Sequence, residues 1–273
     1  MRVGFWGATQ AIVDLVRHHL THNVFPAFDP SVSAPRHTPG GGKGTKRRKS
    51  STGAAAAAAD GEGGLKPTPT LRAMAARMAS LLRQLATLTA SVRVQDAAML
   101  TLCHVALTAL TVDDVPHVQL ASVGVVAAVF QHYQQHRTMM FDELLTVLLK
   151  LPTTGKKLRL FSLAGADSTT VQMVTAVLLQ CVQGAVPLQP VAAALADPKA
   201  AAAHAAEAFK AAALWTSYFW QELLKLSATA KSQEVKFVDL LGNLVTDILV
   251  VCNQPEWPAA QLLVEGLCVQ VRL

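Results

Sequence analysis

The sequence predicts an all-α protein, and three observations lead to that fold class. Apolar residues recur every three to four positions over most of the chain after residue 70, as they do on one face of a helix. No comparable run of strict apolar–polar alternation predicts a sheet. Turn and capping residues interrupt the apolar pattern about once per helix length. Hydrophobic residues make up 51% of the 273-residue chain and charged residues only 15%, which is enough for a sizeable core.

The N-terminal region, residues 1–25, is predicted to be one amphipathic helix over 8–25. Its apolar side carries Ile12, Leu15, Val16 and Leu20.

Residues 26–69 predict a disordered linker, because six prolines, glycine runs and a run of six alanines leave little apolar surface to bury. The stretch 31–66 holds seven Lys or Arg against two acids, a net +5, whereas the other 237 residues carry a net +1. The total of +6 is therefore mainly a property of this linker. Its cluster Lys46, Arg47, Arg48 and Lys49 predicts nuclear import or non-specific contact with nucleic acid; a solvated charge run is the equally ordinary interpretation.

The glycine-rich stretch before Lys43 superficially resembles a phosphate-binding loop. The motif requires glycine at position 37, where this chain has His37, and neither flank predicts the strand and helix that such a loop joins. A small-molecule kinase is therefore a poor candidate.

Residues 70–273 predict helical hairpins joined by short turns. Two successive hairpins, 70–110 and 116–151, repeat at roughly the 40–47-residue period of HEAT-type repeats, so a HEAT-like α-solenoid is favoured modestly over a helical bundle. The stretch 192–213 holds 14 alanines in 22 residues and predicts a helical, solvent-facing insertion. The predicted helices lie near 70–90, 93–110, 116–135, 138–151, 168–186, 203–227, 233–252 and 257–271.

The residues that usually indicate catalysis or a cofactor do not form a recognisable set. The four cysteines lie in apolar helical stretches without a CxxC motif, which favours free thiols in a reducing compartment. His132 and His136 have helical spacing, but the glutamate of a zinc-protease motif is missing and surface histidines are the better interpretation. We expect no enzyme, no metal and no cofactor, and the apolar runs are too short or too polar for a membrane span.

A second basic group lies between two predicted helices. Lys150, Lys156, Lys157 and Arg159 have no acid among them, and a folded scaffold would hold them in register to grip DNA phosphates. Ordinary lysines at a helix C-terminus are the alternative interpretation.

Three ordered blocks of sequence resemble the helical core of the Nipped-B-like cohesin loaders, the sister chromatid cohesion protein 2 or adherin family. The first block runs from Val118 through Tyr133 to Leu158 and Arg159, and the second is VQMVTA from Val171. The most distinctive block is the string Asn253-x-Pro255-Glu256-Trp257-Pro258, whose Trp257 we expect to wedge between repeats. The resemblance covers about residues 92–273 apart from 188–230.

This resemblance implies a nuclear, chromatin-associated HEAT-repeat adaptor. Such an adaptor binds DNA and the cohesin ring, stimulates the cohesin ATPase and promotes loading for sister chromatid cohesion. Family members are much longer and carry a segment for a tetratricopeptide partner subunit, so we expect this chain to be a fragment or a truncated gene model. A helical scaffold that binds protein and ignores nucleic acid remains the alternative.

Overall fold

The computed structural model describes residues 2–30, 67–153, 158–163, 169–185, 191–229 and 234–271. Within them the chain is helical apart from one small hairpin, so the predicted fold class is confirmed. The predicted linker lies mostly outside these residues, between Pro30 and Pro67. The helices are α1 (Arg2–His19), α2 (Phe25–Phe28), α3 (Pro69–Ser91), α4 (Asp96–Ala109), α5 (Pro116–His132), α6 (Arg137–Lys150), α7 (Met173–Gln183), α8 (Val191–Ala196), α9 (Pro198–Thr229), α10 (Glu234–Val251) and α11 (Ala259–Val271).

The N-terminal helix is part of the core. A π-helical turn, Leu20–Val24, joins α1 to α2, and this region packs against α3 and α4. The predicted apolar side was partly wrong, because Ile12 and Leu15 are exposed. The buried stripe contains instead Val13, Val16, Leu20, Val24 and Phe25, since the partner helices contact α1 from that side.

Helix α5 lies at the centre of the described structure. It packs against α3, α4 and α7, and its buried residues, from Val118 to Phe130, cover most of its circumference, while Leu120 and Gly124 are exposed on the remaining side. Because three helices cover it, apolar residues occupy most of its surface, and its sequence lacks a clear amphipathic pattern. Its buried Gln119 stays satisfied because Nε2 donates to the Val112 carbonyl at 2.7 Å.

A two-stranded antiparallel hairpin was not predicted. Strand β1 (Leu160–Ser162) pairs with β2 (Thr170–Gln172), with Phe161 opposite Val171. Three residues per strand are too few to show an alternating pattern, so the sequence predicted helix from residue 168 onward. The next helix in fact begins at Met173, whose backbone N–H donates to the Arg159 carbonyl at 2.8 Å.

The alanine-rich stretch forms α8 and the first half of α9, and it is largely exposed. Asp197 caps α9 by accepting from the Ala200 backbone N–H at 3.0 Å. The second half of α9 turns a buried stripe to the core, which comprises Ala212, Thr216, Phe219, Trp220 and Leu223.

The last two helices complete the core. The apolar stripe of α10 is buried at Leu240, Leu244, Ile248 and Val251. Helix α11 packs against α9, where Trp220 Nε1 donates to the Leu263 carbonyl at 2.9 Å. Among the helices described, none is both long and apolar enough to cross a membrane.

Candidate nucleic-acid interface

Lys150 is the last residue of α6 and its side chain is exposed. The preceding carbonyl, Leu149 O, accepts a hydrogen bond from Lys236 Nζ of α10 at 2.7 Å. Two lysines therefore lie at the C-terminus of α6, where the helix dipole favours positive charge. This geometry suits an ordinary helix end and also leaves the Lys150 ammonium in solvent.

Arg159 faces inward. Its side chain is only 9% exposed, and Nη2 lies 2.6 Å from Asp113 Oδ1 and donates to the Thr111 carbonyl at 2.6 Å. The guanidinium thus fastens the start of the hairpin to the loop between α4 and α5. A DNA phosphate would have to compete with Asp113 for this group, so the predicted DNA contact of Arg159 is physically less favourable than that of an exposed lysine.

The remaining predicted cations lie outside the described residues. This holds for Lys156 and Lys157, between Thr153 and Leu158, and for the cluster 46–49 in the linker. The glycine-rich stretch before Lys43 lies there as well.

Helix α10 supplies polar side chains that hold the surrounding backbone. Asn243 Nδ2 donates to the Thr153 carbonyl at 2.6 Å, immediately before the stretch 154–157. Together with Lys236 it secures the end of α6. Sequence periodicity identified the buried stripe of this helix but not these residues, because their partners lie far away along the chain.

Asp247 of the same helix caps α7 from outside. Its Oδ2 accepts from the Gln172 backbone N–H at 2.9 Å and from the Thr175 hydroxyl at 2.7 Å. Burial raises the pKa of Asp247 above its ordinary value, and these two hydrogen bonds oppose the rise. A carboxylate near a helix N-terminus also interacts favourably with the positive end of the helix dipole.

The string that carries the resemblance surrounds a buried tryptophan. Trp257 packs edge-on against Phe161 of β1, with ring centroids 6.0 Å apart and planes at 89°. Pro255, Glu256 and Pro258 are exposed around it. Trp257 therefore joins the turn before α11 to the hairpin.

The histidines do not form a metal centre in the part of the chain that the structure describes, where no group of three or more His, Cys, Asp or Glu residues is placed to hold an ion. His132 ends α5 and His136 lies on the following 3₁₀ turn, so their i, i+4 spacing does not place them on one helix face. His136 pairs with Asp96 at 3.2 Å, and His104 with Glu143 at 2.6 Å.

A basic surface that the sequence analysis missed lies on α3. Arg72, Arg77 and Arg83 are exposed there, and no acid occurs between Glu62 and Asp96. The signal was the local absence of acids, which a charge count over the whole folded part conceals.

Comparison with known proteins places this fold in context. No protein-family model matches the chain. It is 31% identical over 185 residues to the Nipped-B-like protein of Mus musculus, which is 63% of this chain and 6% of that protein. It is 27% identical over 265 residues to Nipped-B-like protein B of Danio rerio, 94% of this chain and 9% of that protein. The chain therefore spans less than a tenth of the length of these relatives.

A solved structure supports the same placement at the level of the fold. The cohesin loader SCC2 of Chaetomium thermophilum, in a C-terminal fragment, superposes with a TM-score of 0.65 at 16% sequence identity. The match covers 94% of this chain and 19% of that fragment, so the helical solenoid expected from the repeat period is confirmed. In sequence, this chain is similar to a segment of the Nipped-B-like proteins, as its motifs predict, and in fold it is similar to the SCC2 cohesin loader.

Proposed function

We propose that this chain is a segment of a cohesin-loading factor that provides binding surfaces rather than an active site. The observation that carries the proposal is the double similarity over 94% of the chain, to a Nipped-B-like protein in sequence and to a cohesin loader in fold. The cohesin ring is the proposed protein partner. Loading onto chromatin, with stimulation of the cohesin ATPase, is the proposed activity of the whole assembly. The tetratricopeptide partner subunit would bind the full-length protein elsewhere.

A nuclear, chromatin-associated location follows from this proposal. The basic cluster Lys46, Arg47, Arg48 and Lys49 is its candidate import signal, or a non-specific contact to nucleic acid.

The proposed DNA contact uses Lys150, Lys156 and Lys157. Lys150 ends α6, and the residues that flank Lys156 and Lys157 are held in place, Thr153 by Asn243 and Arg159 by Asp113. Anchored cations can hold phosphates in register, which supports a positioning contact that is independent of base sequence. Arg159 would act here by fixing the stretch rather than by touching DNA.

An electrophoretic mobility shift of a 30-base-pair duplex with the full chain tests this contact. The triple reversal Lys150→Glu, Lys156→Glu, Lys157→Glu should weaken binding and reduce the slope of log K against log salt by about 2.7, roughly 0.9 per lost phosphate contact. The matched control reverses Lys199, Lys210 and Lys225 on α9, which changes the net charge equally.

Two results would count against the DNA contact. One is the lack of any shift at low salt. The other is an equal loss of binding in the α9 control, which would indicate a response to net charge alone.

A protein scaffold that ignores nucleic acid is the second candidate, and the geometry of Arg159 favours it. One of the four predicted cations is already engaged with Asp113. Retention of cohesin subunits on the immobilised chain, with no mobility shift of DNA in the same buffer, would select this alternative.

A further inference from the structure

The exposed face of α3 is cationic from Arg72 to Arg83. The helix carries three arginines and no acid, and Arg72, Arg77 and Arg83 are all exposed. No hydrogen bond or ion pair engages these three side chains within the described structure. Arginines without an intramolecular partner remain available for an anionic one.

Small side chains lie between the three arginines on the surface of the helix. At 3.6 residues per turn, Arg72 and Arg83 lie on one side of the exposed face and Arg77 on the other, with Ala76 and Ser80 between them. Arg72 and Arg83 are eleven residues apart, so their backbones are separated by about 16 Å along the axis. An extended peptide covers that distance with about five residues.

An open apolar cavity of ≈ 480 Å³ adjoins the N-terminal part of this face. Phe28 of α2, Ala76 of α3 and Pro116 of α5 contribute to its wall, and the polar residues Arg72, Asp114 and His117 line it as well. The volume accommodates a large apolar side chain, and the nearby arginine lies where a flanking acid would reach.

We propose that this face binds an acidic peptide segment of a partner protein, anchored by one large apolar side chain in the cavity. The acids of the peptide would pair with Arg72, Arg77 and Arg83. The anchor would supply the buried contact, because exposed ion pairs alone contribute little affinity. The cavity also argues against duplex DNA as the occupant, since a phosphate backbone offers nothing apolar to fill it.

Charge disfavours the most obvious internal occupant. The chain's own segment 31–66 adjoins α2 and α3 in sequence, but its net charge of +5 opposes the arginines of α3. A partner with a run of Asp or Glu around a Trp, Phe or Leu fits both parts of the surface.

Fluorescence anisotropy with the full chain tests the proposal. The probe is a labelled 12-residue peptide that holds one Trp among five Glu. Matched peptides replace the Trp by Ser or every Glu by Gln. We expect the first peptide to bind about tenfold more tightly than either matched peptide.

Surface variants separate the two parts of the site. The pair Arg72→Glu and Arg83→Glu should weaken binding of the acidic probe about tenfold and improve binding of a Lys-for-Glu peptide. Ala76→Trp should block the cavity from the surface and weaken the probe by a similar factor. The pair Lys199→Glu and Lys210→Glu on α9 changes the net charge equally, so it is the matched control and should leave the affinity unchanged. Circular dichroism melts establish that each variant folds.

Three outcomes would overturn the proposal. Equal affinity for the Trp and Ser peptides would show that no apolar side chain is anchored in the cavity. If a 20-base-pair duplex displaced the probe and the Ala76→Trp variant bound the probe as tightly as the native chain, the face would be a nucleic-acid surface. Binding that appears only after deletion of residues 31–66 would identify that segment as the occupant.

Discussion

The Thr175 hydroxyl of α7 donates a 2.7 Å hydrogen bond to Asp247 of α10, a residue 72 positions later in the chain. The same carboxylate accepts from the Gln172 backbone, so one side chain satisfies two donors at the start of α7. Helix α7 lacks a side-chain cap from its own N-cap residue, Gln172. The cap therefore comes from a neighbouring helix, and α7 is capped only when α10 is in place.

Removal of this external cap should destabilise the fold. Asp247→Ala leaves the Gln172 N–H and the Thr175 hydroxyl without their acceptor in a partly buried site. We expect a loss of about 1 to 3 kcal/mol in the free energy of unfolding. Urea denaturation followed by circular dichroism measures it, and an exposed variant such as Thr246→Ala is the control. A loss no greater than that of the control would contradict the capping role.

The ionisation of Asp247 should make stability depend on pH. Because burial raises its pKa above the ordinary 3.8, the folded protein holds this proton at pH values where the unfolded chain has released it. The contribution of this group to stability therefore falls as pH rises from the unfolded to the folded pKa. The amide of the Asp247→Asn variant cannot ionise, so the stability of the native protein relative to that variant should decrease across that window.

The measurement is denaturant unfolding of both proteins at several pH values from about 3 upward, which begins below the unfolded pKa. A difference that stays constant would exclude the raised pKa, and a difference that changes in the opposite sense would indicate a lowered one.

The close approach of α11 to α9 depends on Gly266. A Cβ at this position would lie 2.5 Å from Thr216 Cγ2 and 3.2 Å from Trp220 Cδ1, both on buried side chains. Gly266→Ala should therefore cost about 1 to 3 kcal/mol through overpacking. Gly242→Ala is the matched control: it lies within α10, nothing lies within 4 Å of its added methyl group, and it should stabilise by about 0.5 to 1 kcal/mol. Thermal melts of both variants test the contrast, and a harmless Gly266→Ala would contradict the packing.

The pair between Arg159 and Asp113 should contribute to stability. Arg159→Ala would leave a half-buried carboxylate without this partner, and we expect a cost of about 2 kcal/mol, less than for a fully buried pair. A double-mutant cycle with Asp113→Ala isolates the coupling, which should exceed about 0.5 kcal/mol. Zero coupling would mean that the 2.6 Å contact contributes nothing measurable to stability.

Much of the helical framework was predictable, and the misses have local physical causes. The apolar stripes of α6, α7 and α10 repeat with the helical period, so their helices were placed to within a few residues. Strands of three residues have no measurable period, and the hairpin was missed. The buried side of α1 was assigned incorrectly at Ile12 and Leu15, because a helix whose apolar residues spread around its axis has its buried side chosen by its partners.

The candidate sites were likewise predicted only in part. The sequence identified the cations 150–159 as a group, but it could not separate an exposed Lys150 from an Arg159 whose partner lies 46 residues away. The arginines of α3 were not predicted as a site, because their proposed binding role depends on a cavity that Phe28 and Pro116 of other helices help to form.

The sequence by itself determined that the chain is helical, roughly where each helix lies, and which family its motifs resemble, because helical period and short motifs are local properties. Only the tertiary structure decided that Asp247 caps α7, that Gly266 allows the Trp220 side chain to pack closely against α11, and that Arg159 faces inward. Each of these depends on groups that are distant in sequence and meet only when the helices pack.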